Sequence, residues 1–469
     1  MPQQPTSLLS LPDELLVQIF DNVAVRTSPG GNPILPCTLV CRRIGKVAQT
    51  LLYREVFVDA LSSLGFKAAV EANPSLGQLV RSLELQNGTP AITPAPESGN
   101  LICERMQATF RSLSQLKELS LVGMTPGEAA AILAALPSPS LQSLTMRLRR
   151  TADERWWQEL WTHLSGFSEL RTLECVDWPG EAELTHPTTP CPTPNMSLPR
   201  LVELYATDFV LVKMFGPAGP LRQTLPSLRE LTTSWSPSGS DMIAILSDLP
   251  SSLTTLKLLY GWLATDWSRY LQTLTSLRHL ELGEDTFFET DLLAYLPTAT
   301  LESIGFDESA PATDRVLQAL TGPGRPPQLR QIRLDHIVGA TPDEIEDRFK
   351  HYGSANLHDY ANAVRNIMRP QWSLGTSEEG LRLALDSARA NGIRVTGRAL
   401  KFLHWESEFN SLLFHYMMDW AQEVGQYDAV MARYGEEAAL GWLEEHAPRK
   451  ARLAQEGLLA GWGASSVVP

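Results

Sequence analysis

Leu116-Lys-Glu-Leu119-Ser-Leu121 is the clearest guide to how this chain of 469 residues folds, because its apolar pattern occurs ten times along the chain. Each copy carries two aliphatic residues three positions apart and, two positions later, usually a third apolar residue. After a long first gap the copies start 24 to 31 residues apart. Fixed-period self-similarity predicts a solenoid, since one short strand cannot bury its apolar row alone and must stack on its neighbours. The copies begin at Val80, Leu116, Leu141, Leu170, Leu201, Leu228, Leu253, Leu277, Leu301 and Leu329.

The segments between the copies carry helical patterns, and several begin with a threonine or aspartate that can cap a helix. We expect helices over residues 125–136, 153–164, 241–249 and 266–274. A repeated unit of one strand followed by one helix predicts an α/β fold, with the strands inside a horseshoe and the helices outside. Residues 80–337 resemble the leucine-rich-repeat family, although the asparagine that often follows the strand in that family is absent. The resemblance implies an irregular horseshoe with a curved surface for a partner.

The composition restricts the classes of function. The chain is 43% hydrophobic and 20% charged, which is ordinary globular usage, and its formal net charge of -14 argues against a nucleic-acid-binding protein. Five scattered cysteines without a CxxC pair indicate reduced thiols rather than a disulfide scaffold. No signal peptide and no run of about 18 apolar residues is visible. We therefore expect an intracellular protein, cytoplasmic or nuclear, that binds no membrane.

Residues 8–58 form a separate helical module in this prediction. A first helix starts near Pro12, which suits a first helical turn and is followed by two acidic residues at the positive end of the helix dipole. The stretch 26–36 is rich in glycine and proline and predicts a loop. A second apolar stripe, from Leu39 onward, predicts a second helix, and residues 53–58 predict a short strand.

Three blocks of this module occur in order: Leu11-Pro12-Asp13-Glu14-Leu15-Leu16 with Ile19-Phe20, then Leu39-Val40-Cys41-Arg42-Arg43, then Leu52-Tyr53-Arg54-Glu55-Val56. Together they resemble the F-box, the motif by which substrate receptors dock onto the Skp1 adaptor of cullin-RING ubiquitin ligases. The last block is similar to that of F-box proteins from filamentous fungi. Two features depart from the family: the loop between the first two blocks is several residues longer, and Ile44 stands where many members carry tryptophan.

The resemblance implies that a Skp1-type adaptor, and through it a cullin-RING ligase, binds this module. It places the following residues at or near the adaptor interface: Leu11, Pro12, Leu15, Ile19, Phe20, Val40 and Cys41. The residues themselves leave an alternative open, in which the same side chains form only the core of a small helical cap on the solenoid.

Candidate target-binding residues lie in or just after the predicted strands. Large aromatic side chains and arginines dominate binding hot spots, because they bury much area at low entropic cost. The alternative is that the aromatics fill space under irregular loops and that the arginines are simply solvated. The candidates are Arg147, Arg149, Trp178, Tyr205, Phe209, Trp235, Tyr260 and Trp262.

The leucine pattern stops at about Thr341, and helical periodicity continues from there, for example over residues 379–391. A solenoid end exposes an apolar row that needs a cover, so we expect a helical cap over residues 341–469. An accessory domain that contributes to target choice is the alternative. The predicted organisation is therefore the module at 8–58, about ten repeats at 59–340, and this C-terminal helical region.

No catalytic arrangement is recognisable, because the sequence lacks a glycine-rich phosphate loop with lysine, HExxH, GxSxG and zinc-finger spacings. We therefore expect a non-catalytic protein without a metal or cofactor. The sequence favours the substrate-recognition subunit of an SCF-type E3 ubiquitin ligase, with Skp1 on the F-box and an unknown protein target on the repeats. The alternative is a leucine-rich-repeat scaffold outside any ligase, with a vestigial F-box, which the long loop at 26–36 would favour.

Overall fold

The computed structural model of the chain describes residues 11–25, 35–59, 62–87, 106–137, 140–149, 154–178, 197–215, 221–234, 247–260, 268–284, 289–307, 310, 312–336, 375–403, 429, 432 and 433. The chain divides into two compact units. The first is Met1–Leu280 with Thr286–Asp291, and the second is Glu281–Asp285 with Leu292–Pro469. Among the described residues no helix is long and apolar enough to cross a membrane.

The first unit begins with helices α1 (Asp13–Val25) and α2 (Arg42–Leu52), separated by a 3-10 helix at Leu35–Leu39. Because Cys41 has an extended backbone, α2 starts at Arg42 and not at the predicted Leu39. The apolar stripes of the two helices meet in a small core that consists of Leu16, Phe20, Ile44, Val47 and Ala48.

Parallel strands follow in the first unit and lie side by side in chain order. They are β1 (Glu55–Asp59), β2 (Ser82–Gln86), β3 (Glu118–Met124), β4 (Ser143–Arg149), β5 (Thr172–Trp178), β6 (Glu203–Thr207), β7 (Glu230–Ser234) and β8 (Thr255–Tyr260). The register aligns the middle aliphatic residue of each copy with that of the next, which gives one buried leucine ladder: Leu83, Leu119, Leu144, Leu173, Leu204, Leu231 and Leu256.

Helices lie between these strands and after β8, as the repeated pattern predicts. They are α3 (Ser63–Ala72), α4 (Pro126–Ala135), α5 (Glu154–Leu164), α6 (Asp208–Phe215), α7 (Leu221–Thr224) and α8 (Ser268–Leu271). A capping box starts α4: the hydroxyl of Thr125 accepts from the N–H of Glu128, whose carboxylate accepts from the N–H of Thr125. On α5, Trp157 and Trp161 are fully buried, with ring centroids 5.5 Å apart.

The boundary between the units falls within β9 (His279–Glu284) and α9 (Glu289–Tyr295). Within the second unit, the parallel strands β10 (Ser303–Phe306), β11 (Gln331–Leu334) and β12 (Arg394–Thr396) again pair in chain order. Two helices, α10 (Asp314–Thr321) and α11 (Glu378–Ala390), pack against each other. Short 3-10 helices occupy Leu296–Thr298 and Arg398–Phe402.

Every one of the ten predicted copies contains a strand that starts two residues after the first aliphatic residue of the copy. The helices predicted at 125–136, 153–164 and 379–391 are present as α4, α5 and α11, and α8 occupies part of 266–274. Residues 241–246 and most of 341–469 lie outside the described residues. Strand β12, inside the region predicted to be helical, was not predicted.

Candidate functional site

Among the described residues of α1 and the segment that leads into α2, four large apolar side chains are exposed, and we call them the apolar surface: Leu15, Ile19, Leu39 and Val40. Leu15 and Ile19 are one helical turn apart on α1 and therefore share a face. The next residues on that helix, Leu16 and Phe20, turn inward to the core. Leu39 and Val40 precede α2 and are 89% and 63% exposed.

Arg43 holds the start of α2 against the start of α1. Its Nε donates a hydrogen bond of 2.8 Å to the carboxylate of Asp13, and its guanidinium also donates to the carbonyl of Leu11. Because both charged side chains are largely exposed, this pair is worth at most about 1 kcal/mol. Its effect is positional: it keeps the chain around Val40 beside the first turn of α1.

Gly45 allows the segment before α2 to approach the helix closely. A Cβ at this position would lie 2.7 Å from the carbonyl oxygen of Thr38, closer than real Cβ atoms come. The N–H of Gly45 also donates to the carbonyl of Cys41 at 2.7 Å. The missing side chain therefore fixes where the exposed residues 39–40 lie relative to α2.

The predicted adaptor-binding residues divide between surface and core. Phe20 is only 7% exposed and belongs to the core, so its side chain is inaccessible to a partner in this conformation. Leu39 is exposed although it was predicted to belong to the apolar stripe of the second helix. The 3-10 helix that ends at Leu39 is too short to show an apolar periodicity, so it could not be recognised from the sequence. The others are either half-buried, as Leu11 and Cys41, or exposed, as Pro12, Leu15, Ile19 and Val40.

Strand β1 attaches the helical module to the sheet of the first unit. It pairs in parallel with β2, with Val56 opposite Leu83 and Val58 opposite Leu85. The carbonyl of Arg54 also accepts hydrogen bonds from the N–H groups of two residues at the start of β2. The module therefore continues directly into the sheet, without a linker.

Charged side chains on the exposed face of the strands pair across neighbouring strands. Arg147 on β4 lies 3.3 Å from Glu174 on β5, and Lys257 on β8 lies 2.7 Å from Glu230 on β7. Arg149, at the end of β4, donates to the backbone carbonyl of Asn87 at 2.9 Å. Both predicted arginines are thus exposed, but each has a partner within the chain.

The predicted aromatic candidates do not form one surface. Tyr205 is half-buried on β6, between Glu174 and Thr232 in the register. Phe209 is buried on α6, where its ring meets Trp157 edge-on at 5.7 Å, so it fills space in the core. Trp178 is the last residue of β5, and Tyr260 is the last residue of β8. Trp235 and Trp262 lie outside the described residues.

An ion pair spans a strand in the second unit. The guanidinium of Arg333 on β11 donates to the carboxylate of Glu281 on β9 and also lies 3.0 Å from Asp335. Gly305 on β10 has Arg333 as its register partner, and a side chain there would contact both charged groups. Because Gly305 has no side chain, Arg333 on β11 can reach Glu281 on β9 across β10.

Burial favours the neutral forms of Cys175 and His336, which lie in the core. Burial, with smaller contributions from Asp177 and Glu174, raises the pKa of the Cys175 thiol well above its usual value. Burial lowers the pKa of His336 to about 4, and Asp335 opposes this shift. No group of three or more residues able to hold a metal ion is found among the described residues.

Comparison with known families identifies one part of the chain. Residues 8–59 match the F-box-like family model, so the helical module and β1 are an F-box-like domain. The matched segment includes the whole apolar surface, the Arg43 contact and Gly45. Comparison with curated proteins finds no match.

Proposed function

We propose that this chain is the substrate-recognition subunit of an SCF-type E3 ubiquitin ligase and that its F-box-like domain binds a Skp1-type adaptor. The apolar surface is the observation that supports this most strongly, because it lies within the segment that matches the F-box-like family. Leu15 with Ile19, and Leu39 with Val40, each place neighbouring apolar side chains on the surface, and exposed apolar patches mark interaction sites. Burying each of these side chains against a partner would contribute roughly 1–3 kcal/mol.

We propose further that residues 80–337 form a leucine-rich-repeat horseshoe whose exposed strand face holds a protein target. Ten copies of one apolar pattern, with one strand in each and chain-order pairing within each unit, support this architecture. Arg147, Arg149 and Tyr205 occupy the exposed side or the ends of these strands, where a bound target would meet them.

In this proposal the chain contributes proximity and no chemistry of its own. Holding a target on the strands and the ligase on the F-box-like domain raises the effective concentration of target lysines near the ubiquitin-charged conjugating enzyme. The chain would then act inside the cell, in the cytoplasm or the nucleus, without a cofactor.

Co-purification with a Skp1-type adaptor tests the proposal. The double variant Leu39→Asp/Val40→Asp places two charges on the apolar surface and should abolish adaptor capture. The control Leu64→Asp/Leu383→Asp makes the same change at two exposed leucines on α3 and α11 and should leave capture intact. Circular dichroism checks that all proteins are folded.

Two results would contradict the proposal: capture of the adaptor by the Leu39/Val40 variant at the wild-type level, or no capture by folded wild-type protein. The second would favour a scaffold with a vestigial F-box. The loop that prompted this alternative, residues 26–36, lies mostly outside the described residues.

A further inference from the structure

A continuous hydrogen-bonded row runs along the edge of the first unit's sheet where the strands begin. In each copy, the residue just before the strand donates its N–H to the carbonyl of the corresponding residue in the preceding copy, at 2.8 to 2.9 Å. We call this the lead row. Its members are Arg54, Arg81, Lys117, Gln142, Arg171, Val202, Arg229, Thr254 and Arg278.

The lead row is cationic although the chain as a whole is acidic. Six of its nine members are lysine or arginine and none is aspartate or glutamate, while the formal net charge of the chain is -14. With strands about 4.8 Å apart, the row extends over roughly 38 Å. The shared backbone geometry places these residues in one row along one edge of the sheet.

Three cations of the lead row are available to a partner. Lys117, Arg171 and Arg229 are exposed, and in the part of the chain that the structure describes their side chains form no hydrogen bond or ion pair. They precede β3, β5 and β7, so each of these residues is two strands away from the next. Successive charges are therefore about 10 Å apart.

This spacing matches one backbone conformation of an extended peptide. A polyproline II helix has three residues per turn and rises about 3.1 Å per residue, so every third side chain lies on one face, about 9 Å from the last. In a β-strand every third side chain would alternate between faces. An extended segment with carboxylates at every third residue would therefore meet all three cations.

The residues next to the lead row limit what else could bind. The first residue of the strand is anionic in four copies, at Glu55, Glu118, Glu203 and Glu230, and none of the equivalent residues from β1 to β8 is lysine or arginine. The positive strip is therefore bordered on its strand side by four carboxylates. A nucleic acid, with its dense phosphate charge, would be repelled by this border, whereas a single extended peptide fits along the strip.

We propose that the lead row binds an extended acidic segment of the target protein, in polyproline II conformation, through Lys117, Arg171 and Arg229. This inference rests on the proposed function and adds to it the class of target sequence. Acidic segments with few apolar residues are commonly disordered, so such a segment is free to adopt the required conformation on binding.

Fluorescence anisotropy of the full chain with a labelled peptide of repeated Glu-Pro-Ser triplets tests this inference. The triple variant Lys117→Glu/Arg171→Glu/Arg229→Glu should weaken binding by about tenfold or more, since it removes three ion pairs and adds repulsion. The control Arg155→Glu/Arg315→Glu/Arg389→Glu makes the same change in net charge at exposed helical positions and should bind like the wild type.

Binding must also depend on the spacing and nature of the charges. A peptide of equal composition with its glutamates in one block, and a single-stranded DNA of equal charge, should both bind more weakly than the triplet peptide. Equal or tighter binding of either, equal binding by the triple variant, or no peptide binding by the wild type would overturn the inference.

Adaptor capture by the same variants separates this inference from the proposed function. Loss of peptide binding in the triple variant with intact adaptor capture is the expected result. Peptide binding without adaptor capture in the wild type would contradict the proposed function alone, and adaptor capture without peptide binding would contradict this inference alone.

Discussion

Gly45 illustrates how one residue can position the apolar surface, which we propose binds the adaptor, without belonging to it. Its missing side chain allows the carbonyl of Thr38 to lie against α2. The exposed residues Leu39 and Val40 follow Thr38 directly, so their position depends on this approach. A glycine in the interior of a helix costs roughly 0.5–1 kcal/mol relative to alanine, and here the close contact explains its presence.

We expect Gly45→Ala to weaken adaptor binding while the chain still folds. The added methyl group must displace the Thr38 segment, and overpacking of this kind costs about 1–3 kcal/mol, offset in part by better helix propensity. Urea unfolding and adaptor titration measure the two effects.

Gly65→Ala on α3 is the matched control for Gly45→Ala, because a Cβ there meets nothing within 4 Å. It should stabilise the fold by up to about 1 kcal/mol and leave adaptor binding unchanged. Equal adaptor binding by both variants would show that Gly45 has no positional effect.

His336 should make the second unit sensitive to acid. It is fully buried, and neither ring nitrogen has a hydrogen-bond partner in the described structure. Its folded pKa of about 4 lies below the usual value of 6.5, so the unfolded chain binds the proton first as pH falls. The stability contributed by neutral His336 is therefore present above pH 6.5 and is lost progressively toward pH 4.

We expect His336 to reduce the free energy of unfolding by about 2 kcal/mol between pH 7 and pH 5. His336→Phe, which keeps an aromatic ring beside Phe306, should remove this part of the pH dependence. Urea unfolding at both pH values measures it. The exposed His163→Phe serves as the control, and a pH dependence that His336→Phe leaves unchanged would refute the assignment.

At the scale of elements, a carboxylate of helix α10 binds the residues that start helix α11. Asp314, the first residue of α10, accepts from the N–H of Ser377 at 2.9 Å and from its hydroxyl at 2.7 Å. The hydroxyl of Ser377 in turn accepts from the N–H of Gly380 at 2.9 Å. A side chain at Gly380 would collide with the Asp314 carboxylate. The two helices are therefore joined at their amino-terminal ends.

We expect Asp314→Ala to destabilise the second unit by about 1–3 kcal/mol, because it leaves donors at the start of α11 without a partner. Gly380→Ala should have a similar or larger effect, whereas Gly324→Ala, which meets nothing within 4 Å, should not. Hydrogen exchange of the α11 amides measures this loss of stability at the helix itself. Unchanged exchange in Asp314→Ala would contradict this account of the helix start.

The strands were predictable from sequence where a local apolar pattern specifies them, as at Leu116–Leu121 and the nine other copies. Strand β12 was not, because Val395 is its only aliphatic residue and its partner strand lies about sixty positions earlier. At the candidate site, the apolar spacing of α1 predicted the helix, but exposure of Leu39 depends on the extended backbone of Cys41, which the sequence does not reveal.

At the scale of the whole molecule, the proposed adaptor surface and the lead row belong to the same compact unit. Strand β1 connects the two, since it lies within the F-box-like match and also pairs with β2. In the proposed ligase this continuity would hold a bound target segment at a fixed distance from the adaptor, which is what transfer by proximity requires.

Titration calorimetry of the full chain with a Skp1-type adaptor tests the adaptor-binding proposal most directly. We predict one-to-one binding with a negative heat-capacity change, because Leu15, Ile19, Leu39 and Val40 become buried. The absence of any binding heat at several temperatures, from a chain shown to be folded, would contradict the proposal that this F-box-like domain engages a ubiquitin ligase.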